Sequence, residues 1–348
     1  MSDIQKLLRP NIRKLKPYSS ARDEYSGQKG IFLDANENSF GTLGSGVLNR
    51  YPDPYQRDLK KRLEDVYQID SKQIFLGNGS DEAIDLLIRA FCVPGHDSVI
   101  IMPPTYGMYK VAANINNVNI KNVPLSPDFS IQTDKVLAQA EDAKIIFICS
   151  PNNPTGNIFQ AESVKKITKN YNGIVILDEA YVDFTEKQNG LEWLDNFANL
   201  VVLRTFSKAW GMANIRLGMA FASPEIIAVL NKIKYPYNVN GLTCRQAMEL
   251  TTKQNIKEDT VKSILEERTR IIDNLQEING VKEIFPTEAN FILARYKKAL
   301  QLFEYLRDKR IIIRNRTNVR HCADCLRITV GKPEENDRLL TEIENFYK

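Results

Sequence analysis

The sequence predicts an α/β fold, a mostly parallel central sheet with helices on both faces, followed by a smaller C-terminal α+β domain. Three observations carry this. Between about residues 74 and 222, short apolar runs alternate with helical patterns, the arrangement of parallel strands joined by crossover helices. Past Pro224 the texture changes to a long charged helical region and then short strands. At 348 residues, the chain is long enough for two hydrophobic cores.

The expected strands of the large domain are Ile74–Leu76, Val99–Met102, Ile145–Cys149, Ile174–Leu177, Leu200–Leu203 and Leu217–Phe221. Most are near-continuous apolar runs, as strands buried on both faces require. Between them, Asp81–Cys92 places Ile84, Leu87, Ile88 and Phe91 at helical spacing on one apolar face. Further on, Gly241 to Glu277 reads as helical and Asn290–Ala294, Ile311–Arg314 and Leu326–Val330 as strands, with a last helix from Pro333 to Tyr347. The expected division is an arm over 1–35, a large domain over 36–235 and a small domain over 236–348, with the boundary near Tyr235-Pro236-Tyr237.

Composition excludes several classes. Hydrophobic residues at 43% and charged residues at 26% describe an ordinary globular chain. A net charge of +4 is too small to argue for nucleic acid. No apolar run approaches the roughly 18 residues of a membrane span, and residues 1–10 lack the apolar core of a signal peptide. A cytoplasmic protein is expected. Five cysteines, an odd number, argue against a disulfide framework. His321-Cys322-Ala323-Asp324-Cys325 has a metal-like look, but the remaining histidine and cysteines are scattered. It reads as a loop entering a strand, and no metal is expected. Arg310, Arg314, Arg316 and Arg320 concentrate positive charge, as either a solvated face or a site for an anionic substrate.

Three strands deliver polar residues at their C-terminal ends, where open α/β sheets bind ligands. Ile145–Cys149 leads into Ser150-Pro151-Asn152-Asn153-Pro154-Thr155-Gly156, and Ile174–Leu177 into Asp178-Glu179-Ala180-Tyr181. Leu200–Leu203 leads into Thr205-Phe206-Ser207-Lys208-Ala209-Trp210-Gly211, with Arg216 eight residues past the lysine. A lysine, an aspartate, a tyrosine, an asparagine and an arginine converging at one edge suit pyridoxal phosphate. Four such motifs in this order resemble the fold-type I PLP-dependent aminotransferases, and more narrowly the histidinol-phosphate aminotransferase family, from about Tyr18 to Gly331.

On this reading Lys208 forms the Schiff base, its pKa lowered by burial and neighbouring cations, and then carries a proton. Asp178 pairs with the protonated pyridine nitrogen. Tyr181 and Asn153 bond the phenolic oxygen, Asn153 being chosen because the family motif places its ligand just before Pro154. Asn152 would then shape the turn. Arg216 and Ser207 hold the phosphate with Gly77-Asn78-Gly79-Ser80-Asp81-Glu82, where Gly79, Ser80 and Asp81 open a helix. Tyr106, in Pro103-Pro104-Thr105-Tyr106-Gly107, stacks on the ring.

Substrate residues come from the resemblance. Pro17-Tyr18-Ser19-Ser20-Ala21-Arg22 resembles the family's N-terminal segment, with Tyr18 a phosphate contact. Leu33-Asp34-Ala35-Asn36-Glu37-Asn38 resembles its Asn-Glu-Asn loop, placing Asn36 and Glu37 at the substrate. Asn49-Arg50-Tyr51-Pro52-Asp53-Pro54 resembles the segment whose tyrosine reaches the partner subunit's cofactor, which implies a homodimer. Arg327, assisted by Arg314, would hold carboxylate or phosphate. The implied reaction is transamination of L-histidinol phosphate with 2-oxoglutarate, and the N-terminal arm is expected on the small domain. Trp210-Gly211-Met212 and Met219 are bulkier than the family pattern and bear on side-chain preference. A broad aromatic aminotransferase and a threonine-phosphate decarboxylase share these motifs. A PLP-sensing transcription regulator would need a DNA-binding module, for which the residues before the first family loop are too few.

Overall fold

The computed structural model describes residues 3–18, 30–44 and 46–348. The large domain is built on β1 (Ile74–Asn78), β2 (Ser98–Ile101), β3 (Asn119–Asn122), β4 (Ala143–Cys149), β5 (Ile174–Asp178), β6 (Leu200–Thr205) and β7 (Leu217–Ala222). They lie in the order β1-β7-β6-β5-β4-β2-β3, and β7 alone runs against its two neighbours. Alternate residues of each strand enter opposite cores: Ile146 and Ile148 of β4 pack with Leu177 and Val202, whereas Ile145 and Phe147 pack with Ile176 and Val201. Two buried faces explain why these strands read as continuous apolar runs.

Helices α4 (Ser80–Phe91), α5 (Met108–Ile115) and α8 (Pro224–Ile233) cover one face, the buried residues of α4 including Ile84, Leu87, Ile88 and Phe91. On the other face lie α3 (Arg57–Tyr67), α6 (Thr133–Ala138) and α7 (Ala161–Lys169). The small domain is an antiparallel sheet of β8 (Val281–Ile284), β9 (Phe291–Tyr296), β10 (Arg314–Asn315) and β11 (Cys325–Thr329), in the order β10-β11-β9-β8. Helices α10 (Gln254–Glu277), α11 (Ala299–Asp308) and α12 (Pro333–Tyr347) close its core around Ile292, Leu302, Ile328 and Leu340.

The chain departs from the expectations in four places. The edge strands β3 (NIKN) and β8 (VKEI) carry too much polar sequence to stand out, because an edge strand with exposed positions needs no apolar run. Of the expected strand Ile311–Arg314, only Arg314 joins a ladder, while Ile313 enters the small core without one. The helical region after Gly241 breaks at residues 251–253 into α9 (Gly241–Leu250) and α10. Val239 and Ala247 belong to the large core, so the small domain begins not near 236 but along α10, whose Ile271 and Leu275 enter the small core.

The N-terminal arm is also corrected. Helices α1 (Asp3–Leu7) and α2 (Pro10–Lys14) dock on the large domain, with Ile4 and Leu8 packed in the cluster of α4 and α8. Lys232 Nζ donates to the Ile12 and Arg13 carbonyls at 2.8 and 3.2 Å, and Arg9 N–H to Ala90 O at 3.0 Å.

The two domains meet beneath the C-terminal edge of the large sheet. Tyr181, Phe184 and Ala209 pack there with Val261 of α10 and Ala289 and Phe291 of the small domain. Gly156 is the tightest joint: Glu288 N–H donates to its carbonyl at 2.7 Å, and its φ is +84°. A β carbon at Gly156 would lie 2.4 Å from Thr287 Oγ1. Gly156→Ala is therefore expected to cost about 1–3 kcal/mol, read as a lowered denaturation midpoint; an unchanged midpoint would show that the joint yields.

Candidate active site

Strand register fixes where the chemistry falls. Cys149 of β4 lies opposite Asp178 of β5, and Asp178 opposite Leu203 of β6, so the turns carrying Asn153, Tyr181 and Lys208 leave the sheet at one edge. A cavity of about 160 Å³ opens there, lined by Asn153, Asp178, Tyr181, Ser207, Lys208 and Arg216. Gly79, Ser80, Asp81 and Tyr106 complete its wall. A larger groove of about 950 Å³ lies beside α1 on the large domain, lined by none of these groups.

Asp178 is 3% exposed. Its Oδ2 accepts from Tyr109 Oη–H at 2.6 Å and its Oδ1 from Ala180 N–H at 3.1 Å. Burial pushes the carboxyl up to about 6, against the pull of those two donors. Tyr109 is fully buried and stacks on Phe147 at 4.6 Å between centroids. Sequence reasoning missed it. The available signal is a second tyrosine three residues past Tyr106, whose ring it meets edge-on at 5.5 Å.

Lys208 Nζ lies 5.4 Å from the Tyr181 ring centroid. Burial lowers its pKa, and the charges of Arg327 and Arg216 add to this while Asp178 opposes them. The two asparagines divide their work. Asn152 is fully buried, taking Thr105 Oγ1–H at 3.0 Å and donating to Pro104 O at 2.9 Å, and so holds the turn. Asn153 instead faces the cavity, donating to Tyr181 Oη at 3.3 Å and accepting from Arg327 Nη1.

The glycine loop forms a cradle. Gly79, at φ +72°, donates to Arg216 O at 2.6 Å, and a β carbon there would lie 2.8 Å from Arg216 Nη2. Gly218 lets α4 approach β7, since a β carbon would sit 2.1 Å from Ser80 N. No side chain caps α4, which leaves its first N–H groups for an anion. Asp81 accepts from Tyr106 Oη–H at 3.2 Å and lies 3.7 Å from Arg216 Nη2. An amine, a buried carboxylate, two donors beside it and an anion cradle make a donor set that fits pyridoxal phosphate.

The remaining expected residues stand apart from this cavity. Arg314 is exposed and lies opposite Arg327 across the β10–β11 ladder. Tyr51 stacks on Tyr237 at 4.4 Å, and Tyr18 lies beside Pro54 and Lys234. Ser19–Arg22 fall outside the described residues. Asn36 takes a left-handed conformation at φ +53° and does not line the cavity. Glu37 clamps two segments together: Arg50 Nη1 donates to Oε2 at 2.7 Å and Tyr51 N–H to Oε1 at 2.6 Å. The bulky departures point away from the cavity, Met212 and Met219 into the core and Trp210 against Phe206. Cys322 and Cys325 are free thiols in a turn entering β11, and the described residues hold no cluster of three or more metal-ligating side chains.

The fold, with polar groups gathered at the C-terminal edge of its sheet, is that of a pyridoxal-phosphate-dependent aminotransferase. The chain belongs to the class I and II aminotransferase family, whose model matches residues 26–343. It is 53% identical over 347 residues to the histidinol-phosphate aminotransferase of Parabacteroides distasonis, spanning 99% of each chain. Among solved structures, the histidinol-phosphate aminotransferase from Clostridium acetobutylicum is 26% identical, with a TM-score of 0.79 over 86% of this chain and 91% of that one. The enzyme of that name from Sinorhizobium meliloti, in complex with pyridoxal-5′-phosphate, shares the fold at 23% identity and a TM-score of 0.78, over 89% of each chain.

The charge of Arg327 presses on Lys208, so Arg327→Gln is expected to raise the lysine's pKa. With pyridoxal phosphate added to apoenzyme, the pH midpoint for capture by Lys208 should move upward, because the ammonium form then persists to higher pH. An unmoved midpoint would leave burial and the Arg216 charge as the causes.

Proposed function

We infer that this chain exchanges the amino group of L-histidinol phosphate with 2-oxoglutarate, giving imidazole-acetol phosphate and L-glutamate in a ping-pong cycle of histidine biosynthesis. The observation that carries the reading is Lys208 and Asp178 lining one cavity while Arg327, from the other domain, bonds Asn153 at its wall. Family membership supports the transamination, and the names of the relatives support histidinol phosphate as a substrate.

Pyridoxal phosphate, when bound, supplies an electron sink for the pair left behind by the Cα proton. Arg216, Ser207 and the first N–H groups of α4 would hold its phosphate. Asp178 would pair with its ring nitrogen, where a buried carboxylate favours the protonated ring, and Tyr109 keeps that carboxylate oriented. Asn153 and Tyr181 would hold its phenolic oxygen, and Tyr106 would stack on the ring. Lys208, its ammonium form disfavoured by burial, would take the Cα proton at Nζ and return it to the cofactor's C4′ carbon. Arg327 and Arg314 receive the substrate anion, phosphate in one half-reaction and carboxylate in the other, since a guanidinium fork accepts both.

The working unit is a homodimer. Ile31, Phe40 and Leu43 are 91%, 103% and 105% exposed in the single chain, an apolar segment of the kind that a second copy covers. Tyr51, half exposed on the adjoining segment, then reaches the partner's cavity. A cytoplasmic location fits this chemistry, and no described helix is long and apolar enough to cross a membrane.

Two measurements test the reading. Histidinol phosphate added to holoenzyme without keto acid should abolish the visible cofactor band rapidly, phenylalanine slowly, and 2-oxoglutarate should restore it. The reverse order would indicate a broad aromatic aminotransferase, and carbon dioxide release without 2-oxoglutarate consumption a decarboxylase. Separately, mixing inactive Lys208→Ala with impaired Tyr51→Phe should recover part of the wild-type activity through hybrid dimers. No recovery at any mixing ratio would rule out a shared site.

A further inference from the structure

Beyond Arg327 and Arg314, the hairpin that bears them carries a third guanidinium with no structural employment. Arg316 N–H donates to Cys325 O at 2.9 Å, which extends the β10–β11 pairing by one residue. Arg314 is paired with Arg327 in this ladder, and Arg316 lies two positions further along the same strand. Side chains two apart on a strand share a face, so Arg314, Arg316 and Arg327 stand on one face of the hairpin. Arg327 fixes which face this is, because it reaches Asn153 in the cavity wall.

Arg316 is half-buried. Its Nε is shielded from solvent and has no hydrogen-bond partner, and the same holds for Arg327 Nε. Among the described residues, no carboxylate pairs with Arg314, Arg316 or Arg327. Other arginines of the small domain do have partners: Arg270 bonds Glu267 and Asp337 at 2.7 and 2.6 Å, and Arg295 bonds Glu283 at 3.1 Å. Burial lowers the pKa of both inward arginines, and each also feels the positive charge of a neighbour, Arg314 for Arg316 and Arg316 for Arg327. Arg327 reaches the cavity wall through Asn153, and the shared face of the hairpin turns Arg316 the same way. Half-buried positive charges without counter-charges are costly, and an anionic ligand at the cavity would supply the missing charge.

We propose that Arg316 is a specificity-determining residue, a third guanidinium that matches the second negative charge of a phosphate monoester and so favours a phosphorylated amino donor over a plain amino acid. This rests on the transamination reading above. A phosphate monoester carries close to two negative charges at neutral pH, with a second pKa of about 6. A carboxylate carries one, which Arg327 alone can answer. Arg316 therefore acts in the half-reaction with the phosphorylated donor and is nearly idle with glutamate.

The test is a spectral titration of holoenzyme with inorganic phosphate and, separately, with glutamate, comparing wild type, Arg316→Gln and Arg316→Lys. In Arg316→Gln, affinity for inorganic phosphate should fall about tenfold or more, the worth of one charge-assisted hydrogen bond, while affinity for glutamate falls less than about threefold. Arg316→Lys, which keeps the charge but loses the fork, should lie between. Equal losses for both anions, or no loss for phosphate, would overturn the proposal. Should Arg316→Gln not fold, the same comparison on Arg316→Lys decides, a preferential loss for phosphate supporting the role and a proportionate one overturning it. Inorganic phosphate binds without turnover, so this result stands apart from failure of the transamination reading, which would show as wild-type holoenzyme unaltered by histidinol phosphate.

Discussion

A carboxylate buried at the end of the central strand is the constraint from which the site is built. Asp178 gives up nearly all contact with water, and an ionised group in that position is stable only with donors and opposite charge close by. Tyr109 supplies one donor and the Ala180 backbone another. Tyr109 is itself placed by its stack on Phe147 of the neighbouring strand, so the orientation of the carboxylate is set by the packing of the sheet and α5. Lys208 completes the arrangement at a distance, its charge favouring the ionised carboxylate while burial works against the ammonium. Burial thus draws the two groups toward each other in acidity, the carboxyl up to about 6 and the lysine downward.

The second half of the site comes from another domain and obeys a different rule. The small sheet lends a hairpin face with three arginines that no described carboxylate pairs, whereas Arg270 and Arg295 elsewhere in the domain are paired. The large domain contributes the hydrogen-bonding turn that receives them. The aromatic cluster of Tyr181, Phe184 and Phe291 and the Gly156–Glu288 bond hold the two halves in register. A rigid apolar joint beneath a strongly cationic mouth lets an anion be drawn in without the cavity floor giving way.

Much of this was legible in the sequence, for identifiable reasons. The central strands were visible because burial on both faces demands unbroken apolar runs, and the residues after each run were visible because strand ends are where such sheets place polar groups. The division of labour between Asn152 and Asn153 followed from the motif, and the structure puts the first inside the turn and the second in the cavity wall. What escaped depended on long-range packing. Tyr109 looks like any core aromatic until the fold brings it to Asp178, sixty-nine residues away. The described part of the N-terminal arm carries only Ile4 and Leu8 as buried apolar anchors, too few to reveal which domain receives them. Arg316 could be counted in a basic cluster, but only the ladder register shows that it shares a face with Arg327. The contacts of Glu37 were hidden because its partners, Arg50 and the Tyr51 backbone, lie in a separate segment.

The bond between Arg327 and Asn153 crosses from the small domain to the large one at the wall of the cavity. The asparagine uses both ends of its amide there, accepting from the guanidinium at Oδ1 and donating to the Tyr181 hydroxyl from Nδ2. On the reading proposed above, its carbonyl end would answer the residue that receives the substrate's anion and its amino end the cofactor's oxygen. A rotation of this single amide would then be felt at both places, and by thermodynamic reciprocity any coupling it carried would be equal in the two directions.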